Sequence, residues 1–273
     1  MKKVKVLILT GFGLNCDYET VYSFKLAGAS AYKFHINSLI NKKIKLENFH
    51  IIVFGGGFSW GDYHGAGVVQ ALKFKNHIKD DLLSFATKKK LIIGICNGFQ
   101  VLINLGLLPA LDNNYTNRCA AITFNDCGNF VDRWVHLSAN IKSPCIFTKD
   151  IKIADYPIRH GEGKFIANEK TIKALSDNNQ IVFKYANKKG NPANGAFPLN
   201  PNGSIKDIAG ICDPTGRIFG LMPHPEAYNH FTNHPDWTRT YQINKTKSHN
   251  KIKSITPGIK LFKNGVDYIK DAF

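Results

Sequence analysis

The 273-residue sequence lacks the features that define several protein classes. No apolar run approaches the ~20 residues that a membrane-spanning helix requires, so we expect no membrane segment. The apolar stretch at residues 4–9 is too short for a signal peptide and has no small-residue cleavage site, which favours a first buried strand. A G-x-x-x-x-G-K-[ST] phosphate loop is also absent, so we do not expect this chain to hydrolyse ATP itself.

The cysteines have the pattern of neither a disulfide framework nor a metal centre. The six cysteines show no C-x-x-C pair and no regular spacing, and they are Cys16, Cys96, Cys119, Cys127, Cys145 and Cys212. Reduced thiols in a cytoplasmic protein are therefore expected. Cys119 and Cys127, taken with His230 and His234, lack the ligand spacing of a zinc site, so no metal site is predicted.

Arginine is scarce in a chain whose formal net charge is +16. Only five arginines occur, and the many lysines are spread along the chain. Proteins that read base edges favour arginine because it makes bidentate contacts, so we expect no nucleic-acid partner. A weaker role of the charge, attraction of an acidic partner or a phosphorylated substrate, stays open.

Apolar and amphipathic segments alternate along the first hundred residues. Predicted strands lie at 4–9, 31–36 and 48–54, with a fourth ending at Cys96, and predicted helices lie at 17–27 and within 68–90. This order favours a parallel sheet with helices on both faces and a ligand site at the carboxyl ends of the strands.

The second half of the chain has a different character. Short strands at 120–124, 130–137 and 146–148 predict an antiparallel segment appended to the sheet. Later elements are strands at 208–212 and 217–222 and a last helix at about 258–269. The turn-rich stretch 187–204 is predicted to be a loop in solvent.

A G-x-C-x-G motif at residues 94–98 follows the fourth predicted strand. It has the form of a nucleophile elbow that carries cysteine in place of serine. The two glycines suit a tight strand-to-helix turn with little room for β-carbons, and the helix N-terminus favours a thiolate at Cys96. The alternative is a buried cysteine in an ordinary αβ turn, and the motif alone does not decide between them.

The loop after the third strand begins with three consecutive glycines, Gly55 to Gly57. Glycines at the end of a strand let backbone N–H groups approach a ligand closely. The alternative is a flexible loop. A polar loop is also predicted at 156–165, and its His160 is either catalytic or structural.

Residues 222–226 read Met-Pro-His-Pro-Glu. The prolines disfavour helix and predict extended backbone, in which His224 and Glu226 point the same way. A carboxylate beside an imidazole fixes its tautomer and stabilises its cation, as a nucleophile–base–orienter set requires. The alternative is a surface turn with an incidental histidine.

The motifs at residues 94–100 and 222–226 together resemble those of the class I, or triad, glutamine amidotransferases. A narrower resemblance is to the glutaminase subunits of phosphoribosylformylglycinamidine synthase. It rests on residues 13–17, 56–62, 160–165 and 235–238 and on the closing helix. The resemblance covers essentially the whole chain. The sequence departs from the family pattern at Leu14, Lys164 and Ala227, and none of these belongs to the cysteine–histidine–glutamate triad.

The resemblance implies a flavodoxin-like α/β fold: an open, mostly parallel sheet with helices on both faces and an appended antiparallel β segment. It also implies one glutamine amidotransferase domain over residues 1–273. In this family the catalytic residues would be Cys96 as nucleophile, His224 as acid and base, and Glu226 as the group that orients it. The implied substrate-binding residues are Gly56, Gly57, Asn97 and Gln100. Backbone N–H groups of Asn97 and Gly57 would hold the oxyanion.

Ammonia released from L-glutamine would pass to a large synthetase subunit that uses ATP and Mg²⁺ and acts on formylglycinamide ribonucleotide. A small third subunit would bridge the two. No cofactor is expected in this subunit, and the expected location is the cytoplasm. Two alternatives remain: another hydrolase with the same elbow, such as a γ-glutamyl hydrolase or cysteine peptidase, and a non-catalytic assembly subunit.

Overall fold

Short runs of isoleucine, leucine and valine form the central sheet in this computed structural model, which describes residues 3–246 and 255–273. The strands are β1 (Lys5–Thr10), β2 (Ser30–His35), β3 (Ile51–Phe54), β4 (Leu91–Ile95), β5 (Ala120–Phe124), β6 (Val131–Ala139), β7 (Ile153–His160), β8 (Glu162–Ala167), β9 (Ile181–Ala186), β10 (Ile208–Cys212) and β11 (Ile218–Leu221). The helices are α1 (Asp17–Leu26), α2 (Ile36–Ile40), α3 (Val68–His77), α4 (Lys79–Thr87), α5 (Asn97–Leu105), α6 (Glu169–Asp177), α7 (Trp237–Thr246) and α8 (Pro257–Ala272). None of these helices is long and apolar enough to cross a membrane.

The nine-stranded sheet has a parallel part and an antiparallel part. Its strand order is β2-β1-β3-β4-β11-β10-β9-β6-β7. The strands from β2 to β11 pair in parallel, and those from β11 to β7 pair antiparallel. A separate two-stranded sheet joins β5 to β8. The predicted α/β class with an appended antiparallel segment is therefore confirmed.

Helices cover both faces of the sheet. Phe219 and Gly220 are adjacent in β11 and so point to opposite faces. Phe99 of α5 lies over Gly220, where an added Cβ would come within 2.1 Å of its ring. On the other face Phe219 packs against Phe147, with ring centroids 5.9 Å apart, and a Cβ at Gly265 of α8 would lie 2.7 Å from the Phe147 ring. Thus α5 and α8 lie on opposite faces.

The structure corrects three local predictions. Residues 146–148 form a short 3-10 helix instead of a strand, and this turn buries Phe147 against the sheet. The predicted polar loop at 156–165 belongs to β7 and β8, because β7 pairs with β6 along its whole length. The helix predicted within 68–90 is two helices, since Ile78 has non-helical backbone with φ −139°.

The turn-rich stretch 187–204 was predicted to be a loop in solvent. The structure shows that part of it is buried. Asn200 and Asn202 are buried. Asn200 donates from Nδ2 to Asp207 Oδ1 at 2.9 Å, and Asn202 donates from Nδ2 to the carbonyl oxygen of Gly163 at 2.8 Å. Buried amides need such partners, so these asparagines hold the stretch against β8 and the turn before β10.

The turn after β4 is closely packed around two glycines. An added Cβ at Gly98 would lie 1.9 Å from the carbonyl oxygen of Phe54, and one at Gly94 would lie 2.6 Å from the carbonyl oxygen of Gly98. Both distances are far inside van der Waals contact. The predicted shortage of room on either side of Cys96 is therefore present, and β3 supplies part of the wall.

Replacing Gly98 with alanine should destabilise the fold, because its new Cβ meets backbone atoms of β3 that cannot rotate away. Overpacking of this kind costs about 1–3 kcal/mol, which should lower the melting temperature by several degrees. Thermal unfolding followed by circular dichroism measures the change. Gly55→Ala is the matched control, since nothing lies within 4 Å of its added Cβ. Equal melting of Gly98→Ala and the unaltered chain would contradict this packing.

Candidate active site

Cys96 lies between the end of β4 and the start of α5. Its backbone has φ 51° and ψ −109°, a conformation that non-glycine residues rarely adopt and that is held by the surrounding structure. The Cys96 amide donates to the Leu221 carbonyl oxygen at 2.8 Å. Sγ lies 3.7 Å from the carbonyl oxygen of Arg159. The thiol is thus fixed at the N-terminus of α5, where the helix dipole favours negative charge.

His224 and Glu226 lie in the loop that follows β11, the parallel neighbour of β4. The His224 amide donates to the Pro157 carbonyl oxygen at 2.8 Å, which holds the loop over β7. Nδ1 of His224 lies 2.5 Å from Oε1 of Glu226. Both residues are almost fully buried, at 1% and 0% exposure. The predicted imidazole–carboxylate pair is therefore present.

The backbone that makes this pair differs from the prediction. Residues Pro225–Ala227 form a short 3-10 helix, so the chain is not extended through Glu226. Proline is well suited to the first position of a helix, where its missing N–H costs nothing. The carboxylate therefore reaches the ring by a turn back toward His224, and not by the alternation of side chains along an extended strand.

The charge on His224 is decided by its neighbours. Burial disfavours the imidazolium, but the Glu226 carboxylate and the Cys96 and Cys16 side chains outweigh this effect and raise the pKa of His224 well above its ordinary value. A buried cation beside a buried carboxylate is a neutral pair overall, which limits the cost of removing both from water. The arrangement therefore favours a protonated imidazole close to two thiols.

The glycine loop borders the imidazole. An added Cβ at Gly56 would lie 2.7 Å from Cε1 of His224 and 3.1 Å from Sγ of Cys16, so any side chain there would displace the ring. Gly57 has φ +135°, and an added Cβ would lie 2.6 Å from the carbonyl oxygen of Gly13. The loop is consequently packed in place, which argues against the alternative of a flexible linker.

Asn97 and Gln100 project from the first turn of α5 into a hydrogen-bond network. Asn97 donates from Nδ2 to Oδ1 of Asp62 and to Oε1 of Gln100, each at 3.1 Å. Gln100 donates from Nε2 to the carbonyl oxygen of Glu162 at 2.5 Å. Both amide side chains are buried. The structure thus brings the predicted substrate-binding residues to the edge of the sheet that carries Cys96.

Residues 3–269 match the model of a family described as the CobB/CobQ-like glutamine amidotransferase domain. The chain is 48% identical over 264 residues to phosphoribosylformylglycinamidine synthase subunit PurQ of Methanococcus maripaludis, covering 97% of each chain. It is 40% identical over 270 residues to the protein of the same name from Dehalococcoides mccartyi, covering 99% of each. The chain belongs to the PurQ family of glutamine amidotransferases. A solved structure of PurLQS from Thermotoga maritima has a chain that is similar, with a TM-score of 0.71 at 26% identity, covering 98% of this chain and 99% of that one.

Cys16 also lies at this site, although no sequence motif predicts a role for it. Its Sγ lies 3.8 Å from Nδ1 of His224, and its amide approaches the carbonyl oxygen of Gly56 at 3.5 Å. Burial and the nearby Glu226 carboxylate raise the pKa of the Cys16 thiol, although His224 opposes them. No local motif predicts this contact, because it depends on the packing of the loop after β1 against the loops after β3 and β11.

His160 has a structural environment. Its ring is buried, and Nδ1 lies 3.1 Å from Oδ1 of Asn125. Burial and the nearby charge of His224 lower the pKa of His160 to about 3, so the ring is neutral at physiological pH. An added Cβ at Gly163 would lie 2.3 Å from this ring. These contacts favour the structural interpretation of His160.

Asp62 and Glu162 place two carboxyl groups beside the amide network. Burial first, and then the charge of Glu162, raise the pKa of Asp62 to about 6, while the bond from Asn97 opposes the shift. The ionised form is thus disfavoured in the folded chain. Folding stability contributed by this group is highest below about pH 4 and falls as pH rises toward 6, because the folded chain binds the proton more tightly than the unfolded chain.

Asp62→Asn should therefore stabilise the chain above about pH 6, by about 1 kcal/mol once solvent screening is allowed for. The amide keeps an acceptor for Asn97. The advantage should be much smaller near pH 4, where the carboxyl is protonated in the folded chain and about half protonated in the unfolded chain. Urea unfolding at pH 4 and pH 7.5 measures the difference. Asp132→Asn, at an exposed position of β6, is the control. An advantage of Asp62→Asn that is equal at both pH values would contradict the assignment.

Proposed function

We propose that this chain is the glutaminase subunit of a phosphoribosylformylglycinamidine synthase. It hydrolyses glutamine to glutamate and ammonia, and it supplies the ammonia to a synthetase subunit that converts formylglycinamide ribonucleotide to formylglycinamidine ribonucleotide. The observation that carries the proposal is the buried Nδ1–Oε1 pair of His224 and Glu226 beside Cys96. The relatives that share nearly the whole chain bear the corresponding name.

In the first step Cys96, as the thiolate, attacks the side-chain carboxamide carbon of glutamine. The developing oxyanion is held by the backbone N–H groups of Asn97 and Gly57. Donors of this kind act in a site that excludes water, and loss of one typically costs about a hundredfold or more in rate. The position of Cys96 at the start of α5 adds the favourable field of the helix N-terminus.

His224 then acts twice. As the imidazolium it donates a proton to the departing nitrogen, so that ammonia leaves and a γ-glutamyl thioester remains on Cys96. As the neutral base it removes a proton from water, which attacks the thioester and releases glutamate. Glu226 holds the ring in one orientation and stabilises its cation, which is the role its 2.5 Å contact with Nδ1 supports.

The residues that bind and orient the substrate are Gly56, Gly57, Asn97 and Gln100. Gly56 keeps the space beside His224 free of a side chain, and the fixed amide of Gln100 offers polar atoms next to the elbow. We assign all of residues 1–273 to one functional unit. This chemistry requires no cofactor in the subunit itself, whereas ATP and Mg²⁺ are used by the synthetase subunit.

The partners are the large synthetase subunit and a small bridging subunit. The Thermotoga maritima relative was solved as PurLQS, which supports a complex of this kind. We place the reaction in the cytoplasm, since all six cysteines are free and the proposed nucleophile must stay reduced.

Cys96→Ala should abolish glutamine-dependent synthesis by the reconstituted complex, by at least about a thousandfold, because no acyl acceptor remains. Synthesis from added ammonia should persist, since the synthetase does not need the thiol. Product formation is measured with each nitrogen source in turn. Cys127→Ala, which alters an exposed cysteine, is the matched control and should keep both activities. Equal loss of both activities in Cys96→Ala would refute the mechanism.

Two alternatives make different predictions. A γ-glutamyl hydrolase or cysteine peptidase needs no synthetase, so its glutamine hydrolysis would be unchanged when the large subunit is added. A non-catalytic assembly subunit would bind the synthetase but release no glutamate. We expect co-purification with the large subunit and glutamine hydrolysis that rises in its presence.

A further inference from the structure

Cys16 brings a second thiol to the imidazole–carboxylate pair. Among the described residues 3–246 and 255–273, Cys16, His224 and Glu226 form the group of His, Cys, Asp or Glu side chains with the spacing of metal ligands. One ligand atom from each lies within 4.8 Å of the others. All three residues are at least nine-tenths buried. The cluster shares His224 and Glu226 with the proposed catalytic residues but does not include Cys96, the proposed nucleophile.

The dimensions of the cluster suit a small tetrahedral ion. Zinc binds sulfur at about 2.3 Å and nitrogen or oxygen at about 2.0–2.2 Å, so its ligands stand roughly 3.3–3.6 Å apart. Sγ of Cys16 and Nδ1 of His224 are 3.8 Å apart, close to that range. Oε1 of Glu226, at 2.5 Å from Nδ1, would have to move outward by about 1 Å.

One further observation points to a ligand at this place. Oε2 of Glu226 is buried without a hydrogen-bond partner in the described part of the chain, which leaves a carboxylate oxygen available. Gly56 lies directly against the other two ligands, since an added Cβ there would lie 3.1 Å from Sγ of Cys16 and 3.4 Å from Nδ1 of His224. Thiolate, imidazole and carboxylate together are a ligand set typical of zinc.

We propose that Cys16, His224 and Glu226 form an inhibitory site for a thiophilic divalent cation, with Zn²⁺ as the fitting ion. The inhibitory consequence rests on the function proposed above, whereas the binding site does not. The ion bonds to Sγ of Cys16, Nδ1 of His224 and a carboxylate oxygen of Glu226, and a water molecule completes the tetrahedron.

Binding leaves the net charge of the buried cluster unchanged. A cluster written as a neutral thiol, an imidazolium and a carboxylate carries no net charge before binding. The ion displaces the thiol proton of Cys16 and the Nδ1 proton of His224, and both protons pass to solvent. Two negative ligands then balance the charge of the ion. Because a buried net charge is costly, this balance favours occupancy.

The bound ion removes His224 from catalysis. With Nδ1 held by the metal, the ring keeps its remaining proton on Nε2 and has no free lone pair. It can no longer accept a proton from water, so the γ-glutamyl thioester would not be hydrolysed. Release of the ion restores the base, and the site therefore acts as a reversible switch that leaves the Cys96 nucleophile in place.

Occupancy of the site can be measured by absorption spectroscopy with Co²⁺, which substitutes for Zn²⁺ and gives a charge-transfer band when a thiolate is bound to it. The test uses the full chain carrying Cys96→Ala, so that the nucleophile cannot contribute a thiolate, after chelator treatment and under a reductant without thiols. We expect one Co²⁺ per chain, the charge-transfer band, and its loss when Zn²⁺ is added. Adding Cys16→Ser should abolish the band and weaken metal affinity by about a hundredfold or more.

Cys127→Ser in the same Cys96→Ala background is the matched control and should keep the band. A band that survives Cys16→Ser, or failure of the Cys96→Ala chain to bind Co²⁺, would overturn the site. If Cys16→Ser does not fold, Glu226→Gln in that background must weaken Co²⁺ binding by at least about tenfold. Unchanged affinity in Glu226→Gln also counts against the proposal.

Activity tests the regulatory half separately. Zn²⁺ should inhibit glutamine hydrolysis by the otherwise unaltered chain with its synthetase, and a chelator should restore it. Hydrolysis that is insensitive to Zn²⁺ in a chain shown to bind Co²⁺ would overturn the inhibitory role. Absence of any glutamine hydrolysis before Zn²⁺ is added would instead refute the proposed function and leave the cobalt result to decide the site.

Discussion

The parallel pairing of β4 with β11 is the contact on which the arrangement of the site depends. Ile95 lies opposite Leu221, and the amide of Cys96 donates to the Leu221 carbonyl oxygen at 2.8 Å. The segments that leave these two strands therefore start at the same level of the same edge. Cys96 and His224 are far apart in the chain, and this one register brings them together.

Close packing around that edge gives the site its rigidity. The elbow is enclosed by β3 through Gly98, and the imidazole is enclosed by the glycine loop through Gly56. Because these walls are backbone atoms, they hold Cys96 in a positive-φ conformation that would otherwise be unfavourable. The rigidity of the site thus depends on small residues at these close contacts.

Local patterns in the sequence were sufficient for much of the fold and the site. The strand at Ile208–Cys212 and the pairing of His224 with Glu226 were predicted from short motifs, because each depends on nearby residues. The approach of Cys16 to His224 was not predictable in this way. It arises from packing of the loop after β1 against the loops after β3 and β11. Residues 146–148 likewise form a 3-10 helix because tertiary packing buries Phe147.

We propose that Cys96, and not the neighbouring Cys16, is the nucleophile. A diazoketone analogue of glutamine alkylates a nucleophilic thiol irreversibly, and peptide mapping by mass spectrometry then identifies the modified residue. We expect one label per chain, on Cys96, which excess glutamine prevents and which Cys96→Ala abolishes. A label on Cys16, or one that persists in Cys96→Ala, would contradict it.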